Sequence, residues 1–152
     1  MTRSDQSGVP SIEALWLSDD VAGQALLRML ATSTNDGIWD WDLSTDRAYY
    51  SPRWLELVGE PPGSLPEHID TFLDRLHPDD AQSVRETLDA YFDSRLEEYR
   101  AEFRLRHRDG SWRWIMSRGA ALRDGQGRAF RVAGTHTDIT DRIEAAERLE
   151  RL

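Results

Sequence analysis

Four histidines, six tryptophans and no cysteine are the chemically suggestive side chains of this 152-residue chain. Catalysis needs such groups in constellations: a nucleophile beside a base, several metal ligands at close spacing, or a glycine-rich loop opening a helix. No such constellation is visible. His68, His77, His107 and His136 are scattered along the chain. His68 and His107 sit among charged residues and read as surface groups. His77, just before Pro78-Asp79-Asp80, reads as the start of a helix, with proline suited to its first turn and the carboxylates to its positive end. Gly59, Gly63, Gly110, Gly125 and Gly127 fit turns rather than a phosphate cradle. Without cysteine, disulfides, thiolate metal sites and cysteinyl cofactor adducts are excluded. The expectation is a non-catalytic chain with no metal site.

Three places keep chemical interest. Trp39, Trp41 and Leu43 share one parity of a short alternating run. They read either as core or as the aromatic wall of a pocket for a small planar or apolar ligand. His136 shares parity with Val132 and Gly134 and so faces the buried side of a strand. It is either a neutral core histidine bonded to a neighbour or a ligand-binding or protonating group. Asp138 and Arg142 lie four residues apart where that strand becomes a helix, close enough to pair. An exposed pair of this kind is worth ~0.3 to 1 kcal/mol, too little to hold a fold and enough to bias a two-state switch; the alternative is that Asp138 only caps the helix. Thr140 or Asp141 can cap the helix, and Glu144 stands at capping-box spacing from Asp141.

These positions need a scaffold, and the hydrophobic periods supply one. The run in which Tyr99, Ala101, Phe103 and Leu105 alternate with charged residues reads as a strand. Residues 111–123 carry apolar groups on both faces: Trp112, Trp114 and Met116 on one, Ile115, Ser117, Gly119 and Ala121 on the other. Residues 130–137 form the last strand. Ahead of the first of these strands, Ile69, Phe72, Leu73 and Leu76 mark a short amphipathic helix, and Ala81, Val84, Leu88, Tyr91 and Phe92 mark a longer one. Residues 1–10 are polar and expected to be disordered. Residues 11–33 read as one or two amphipathic helices that cap the tryptophan-bearing face of the sheet, within one chain or across a dimer. After the last strand, Ile143, Ala146, Leu149 and Leu152 make a narrow apolar stripe, too short for a coiled coil by itself.

Composition agrees with one domain. The chain carries 39% hydrophobic residues and a formal net charge of -9, which argues against binding nucleic acid or an anionic membrane through a broad basic surface. No apolar run approaches the ~20 residues that span a bilayer, and no signal peptide is recognisable, so a cytoplasmic location is expected.

The run Gly134-Thr135-His136-Thr137-Asp138-Ile139-Thr140-Asp141-Arg142 resembles the C-terminal signature, or PAC motif, of PAS sensory domains. There an Asp-Ile-Thr tripeptide closes the last strand and opens the helix to an output domain. The resemblance extends over residues 34–142: Asp36-Gly37-Ile38-Trp39-Asp40-Trp41-Asp42-Leu43 looks like the first strand, residues 47–51 the second and 51–59 the short helix after it, followed by the helix start His77-Pro78-Asp79-Asp80 and the hairpins at Arg108-Asp109-Gly110-Ser111 and Arg123-Asp124-Gly125-Gln126-Gly127-Arg128. It implies an α+β fold: a five-stranded antiparallel sheet with short helices on one face, a PAS domain at 34–141, and a connector helix beginning at 142. It also implies a signal-coupling role for Asp138, Ile139, Thr140 and Arg142. Trp39, Trp41, Phe103, Leu105, Ile115, Ser117 and His136 become the candidate pocket. By alignment with flavin-binding PAS domains, His136 replaces a glutamine that faces the flavin, while Leu105 and Ile115 replace its amide partners. With the reactive cysteine also missing, flavin is not expected. Haem PAS sensors place their axial histidine on the long helix, and residues 78–94 contain none, so haem is not expected either. No cofactor is assigned, and any small-molecule ligand is unnamed. The implied function is sensing within a bacterial-type signalling protein, as a homodimer through residues 11–33 and the connector. The tail resembles connectors leading to diguanylate cyclases and, less specifically, to histidine kinases. The alternative is a dimerisation module that binds nothing.

Overall fold

The computed structural model describes residues 35–152, so the segments 1–10 and 11–33 lie outside the described residues. Strands β1 (Gly37–Asp42), β2 (Ala48–Tyr50), β3 (Tyr99–Arg106), β4 (Trp112–Arg123) and β5 (Ala129–Asp138) form one antiparallel sheet in the order β2-β1-β5-β4-β3. The last strand therefore lies at the centre of the sheet. In register, Trp39 and Gly119 both stand opposite Gly134, and Gly37 and Ser117 both stand opposite His136. Helices α1 (Pro52–Leu57), α2 (Ile69–Leu73) and α3 (Pro78–Phe92) cross over between β2 and β3, and α4 (Thr140–Glu150) leaves from the end of β5. This is the α+β architecture that the resemblance to PAS domains implies.

One face of the sheet meets the helices. Trp39, Tyr99, Phe103, Leu105, Ile115 and Val132 share an inward parity and pack with Trp54, Val58, Phe72, Val84, Leu88 and Tyr91 of the crossover segment. At roughly 25 cal/mol per Å² of buried apolar surface, this aromatic-rich layer is the main favourable term in the fold.

Local chemistry starts each crossover helix. Ser51 caps α1: its Oγ accepts from the Trp54 amide at 3.2 Å and from the Ile38 amide of β1 at 2.8 Å. The next two helices are capped by histidine, with His68 Nδ1 accepting from the Asp70 amide and His77 Nδ1 from the Asp79 amide. His77 is thus the helix start its sequence context suggests. His68 is the surface group its context suggests, its side chain 43% exposed, and it caps a helix as well; His107 is more enclosed, at 20%. His107 Nδ1 accepts from the Asp109 amide at 3.1 Å, and its ring packs on Gly59. Gly59 adopts φ +74, and a Cβ there would come within 2.4 Å of that ring.

The β3 edge is covered where α3 begins. The Arg104 guanidinium meets Asp80 through two hydrogen bonds of 2.9 and 2.8 Å, and the Arg104 amide donates to the same carboxylate at 2.8 Å. The Asp80 carboxyl is held below its usual range chiefly by the Arg104 side chain, which in turn is raised by Asp80. The neighbouring Arg106 amide donates to the Arg75 carbonyl.

On β4, Ile115 and Ser117 face the interior, and Trp112, Trp114 and Met116 face the other way. The tryptophans have partners there. Trp112 packs against His77 with ring centroids 4.5 Å apart, and the Arg104 guanidinium stacks 4.9 Å above Trp114.

Candidate functional site

His136 sits at the middle of the aromatic layer, 3% exposed. Its Nδ1 accepts a 2.8 Å hydrogen bond from Trp54 Nε1, which fixes the neutral tautomer with the proton on Nε2. Trp39, Phe72 and Phe103 frame the ring at centroid distances of 5.7, 5.6 and 5.5 Å. Burial alone pushes the imidazole down to a pKa of about 3. The ring is therefore neutral at any physiological pH and held by a structural bond.

Beside it lies a cavity lined by Trp39, Trp41, Ala48, Tyr50, Ile69, Phe72, Leu88, Tyr99, Ser117 and His136, with about 20 Å³ open to the centre of a water-sized sphere. That is room for roughly one water, whereas sites for drug-sized ligands run to about 300 Å³ and more. Trp39 keeps it small. The indole reaches past its register partner Gly134 to Gly119, where a Cβ would come 2.8 Å from the six-membered ring. Gly134 itself brings β5 so close to β4 that a Cβ would stand 1.8 Å from the Arg118 carbonyl oxygen. The two glycines thus form a flat seat, and the protein's own tryptophan occupies it.

Of the residues put forward as pocket, Trp39, Trp41, Ser117 and His136 line this cavity. Phe103, Leu105 and Ile115 do not: they are solid core, with Phe103 reaching the site through its contacts with Phe72 and His136. The parity argument marks all seven as inward, but the cavity lies toward β1 and α2, away from Leu105 and Ile115. Tyr50, Phe72, Leu88, Tyr99 and Trp54 are the site residues that sequence reasoning missed. Their apolar periods mark Phe72, Leu88 and Tyr99 as buried without saying what they meet. The Tyr99 phenol is pushed up to about 12, mainly by burial, with the Ser117 hydroxyl opposing the shift from nearby but outside hydrogen-bonding geometry. A wider cleft of about 340 Å³ opens between α2 and α3 and shares Trp41 and Leu88 with the cavity. Among the described residues, no cluster of three or more histidine or acidic side chains could hold a metal ion.

Two residues beyond His136, the strand turns into α4 through three hydrogen bonds. The Ile139 amide donates to the Trp114 carbonyl at 2.8 Å, the Trp114 amide donates to Thr140 Oγ1 at 3.0 Å, and the Thr140 amide donates to Asp138 Oδ1 at 2.9 Å. Ile139 and Thr140 are buried, and Asp138 is exposed. This corrects the expected cap. Ile139 occupies the cap position without a side-chain bond, Asp138 caps from one residue earlier, and the Thr140 hydroxyl is committed to β4. The capping box of Asp141 and Glu144 is not formed. Of the two readings of Asp138, capping holds and the pair with Arg142 does not: Asp138 turns to the helix amide, and Arg142 faces β3 and makes an exposed 3.2 Å pair with Glu102.

A five-stranded sheet in the order 2-1-5-4-3, with helices over one face, a small central cavity and a helix leaving the central strand, defines a PAS-type α+β module. The chain belongs to the PAS fold family, whose profile matches residues 47–136, more than half of its length. It is similar to the sensory box histidine kinase/response regulator of Burkholderia thailandensis, with a TM-score of 0.70 and 36% identity, covering 82% of this chain and 93% of that one. It also resembles the N-terminal domain of a diguanylate cyclase with PAS/PAC sensor from Marinobacter aquaeolei, with a TM-score of 0.61 and 26% identity over 69% of this chain and 95% of that one. Sensor protein FixL of Bradyrhizobium diazoefficiens is 31% identical over 74% of this chain, which spans 22% of the FixL length.

Proposed function

We propose that this chain is the non-catalytic sensory input module of a cytoplasmic, bacterial-type signalling protein. It acts as a dimer and passes a change in its cavity or dimer interface through Asp138-Ile139-Thr140 to a C-terminal output domain. The carrying observation is the junction: the first turn of α4 is bonded to the backbone of Trp114 on β4. A shift of the sheet at Ser117 and His136 is thereby tied to a displacement of the helix, the kind of small movement that dimer interfaces amplify.

Of the proposed dimer contacts, residues 11–33 and the connector helix, the second fits an exposed surface. The β3 edge is blocked over Arg104–Arg106, whereas Leu149 and Leu152 of the connector stripe are 70% and 100% exposed. An 11-residue helix is marginal alone and gains from a partner along that stripe. The output we propose is a diguanylate cyclase or a histidine kinase. The connector's resemblance favours the cyclase, and likeness to the Burkholderia protein favours the kinase. Among the described residues no helix is long and apolar enough to cross a membrane.

The test is made in the parent protein. GTP turnover to a cyclic dinucleotide or phosphate transfer from ATP to histidine identifies the output, and Thr140→Val should change its level or its response while the isolated domain still folds. Unaltered output would remove the junction from the signalling path. Light scattering of the full chain and of a version lacking residues 1–33 tests the dimer, and equal monomer masses would exclude it. The reading of a module that binds nothing rests on the small size of the cavity, and native mass spectrometry separates the two.

A further inference from the structure

Among the described residues, two buried side-chain polar atoms have no hydrogen-bond partner: Trp39 Nε1 and Ser117 Oγ. Both residues line the same 20 Å³ cavity. Leaving such a group unpaired forfeits its hydration with nothing in return, and native proteins avoid it by pairing or by holding an ordered molecule. Two unpaired polar atoms on one small cavity make it a polar site, and their chemistry defines what it can hold. Trp39 Nε1 can only donate. His136, which lines the same cavity, has its one acceptor nitrogen taken by Trp54 and presents an N–H as its other polar group. Ser117 can donate or accept by rotating its hydroxyl. The wall therefore asks for an acceptor. It offers no charge to balance an anion, because burial keeps His136 neutral. The volume admits one or two non-hydrogen atoms.

We propose that this cavity is a binding site for one small, uncharged hydrogen-bond acceptor, held between Trp39 Nε1 and Ser117 Oγ, and that a single water fills it in the resting protein. The site names the ligand class for the proposed sensing role and rests on that reading only for what occupancy does downstream. Occupancy itself is measured on the isolated chain, so its failure and the failure of the signalling reading are distinguishable.

The probe is water. In the full chain labelled with 15N-tryptophan, the Trp39 indole proton, assigned by its loss in Trp39→Phe, should show a cross-peak to a long-lived bound water. Ser117→Ala removes one of the two holding groups and should abolish that cross-peak while the other five indole signals stay in place. A Trp39 indole proton protected from exchange but without a water cross-peak in the unaltered protein means a dry cavity and overturns the proposal. So does a cross-peak of full intensity in Ser117→Ala. The measurement on the unaltered protein decides the matter even if Ser117→Ala does not fold.

Discussion

His136 and Asp138 stand two residues apart on one strand and live in different regimes. His136 is sealed among four aromatic rings and bonded to an indole 82 positions earlier in the chain. Asp138 is exposed, and its bond reaches only two residues ahead. Loss of a buried bond costs the desolvation of the partner left behind, whereas loss of an exposed cap is largely repaid by water. The interior should carry stability and the junction should carry coupling.

The strongest attempt to break this contrast is Trp54→Ala. Trp54 is fully buried against Tyr50 and His136, and its loss should cost about 3 to 5 kcal/mol by cavity formation, read from the urea midpoint of the isolated domain. A shift under 1 kcal/mol would show that the aromatic layer is not the core. His136→Ala should cost less, about 1 to 3 kcal/mol, since it strands the Trp54 indole proton. His136→Gln, which keeps an acceptor, should recover part of that loss.

Acid sharpens the same comparison. His136 in the folded protein titrates near 3, below the 6.5 of an unperturbed histidine, so the unfolded chain takes up its proton first as pH falls. Its contribution is intact above pH 6.5 and is lost between 6.5 and about 3, at roughly 1 kcal/mol per pH unit. Denaturant titrations at a series of pH values should show this slope in the unaltered protein and a shallower one in His136→Gln. Equal slopes would mean that the ring is solvated.

The junction should respond weakly in stability. Asp138→Ala removes one exposed cap bond and should cost at most ~1 kcal/mol in a thermal melt, while changing the output of the parent protein. Arg142→Ala is expected to do least, under about 0.5 kcal/mol, because its pair with Glu102 is exposed. A large loss from either would place the junction in the folding core and erase the distinction.

Much of this contrast is legible in the sequence, because it rests on parity. Alternation in 130–137 puts His136 inward, and the passage from alternating residues to helix formers puts Asp138 at a boundary. The same logic finds the three long strands β3, β4 and β5, whose alternation depends on backbone geometry that each segment carries itself, whereas β1 and β2 are placed by likeness to the family. Where a residue makes its own short-range bond, as His77 does with the Asp79 amide, sequence reasoning also locates the function.

What the tertiary structure alone decides is partnership. Trp54 reads from the sequence as one apolar position on a short helix, and only the crossover between β2 and β3 brings it to His136. Arg142 reads as a partner for Asp138 because the two are near in sequence. The fold instead presents Glu102, 40 positions away, while a nearby amide claims the Asp138 carboxylate. The size of the cavity is likewise invisible in any single segment. It depends on β5 lying between β1 and β4, so that Gly134 and Gly119 align as a seat for Trp39. Periodicity reports which way a side chain points, and only the closed sheet determines what it meets there.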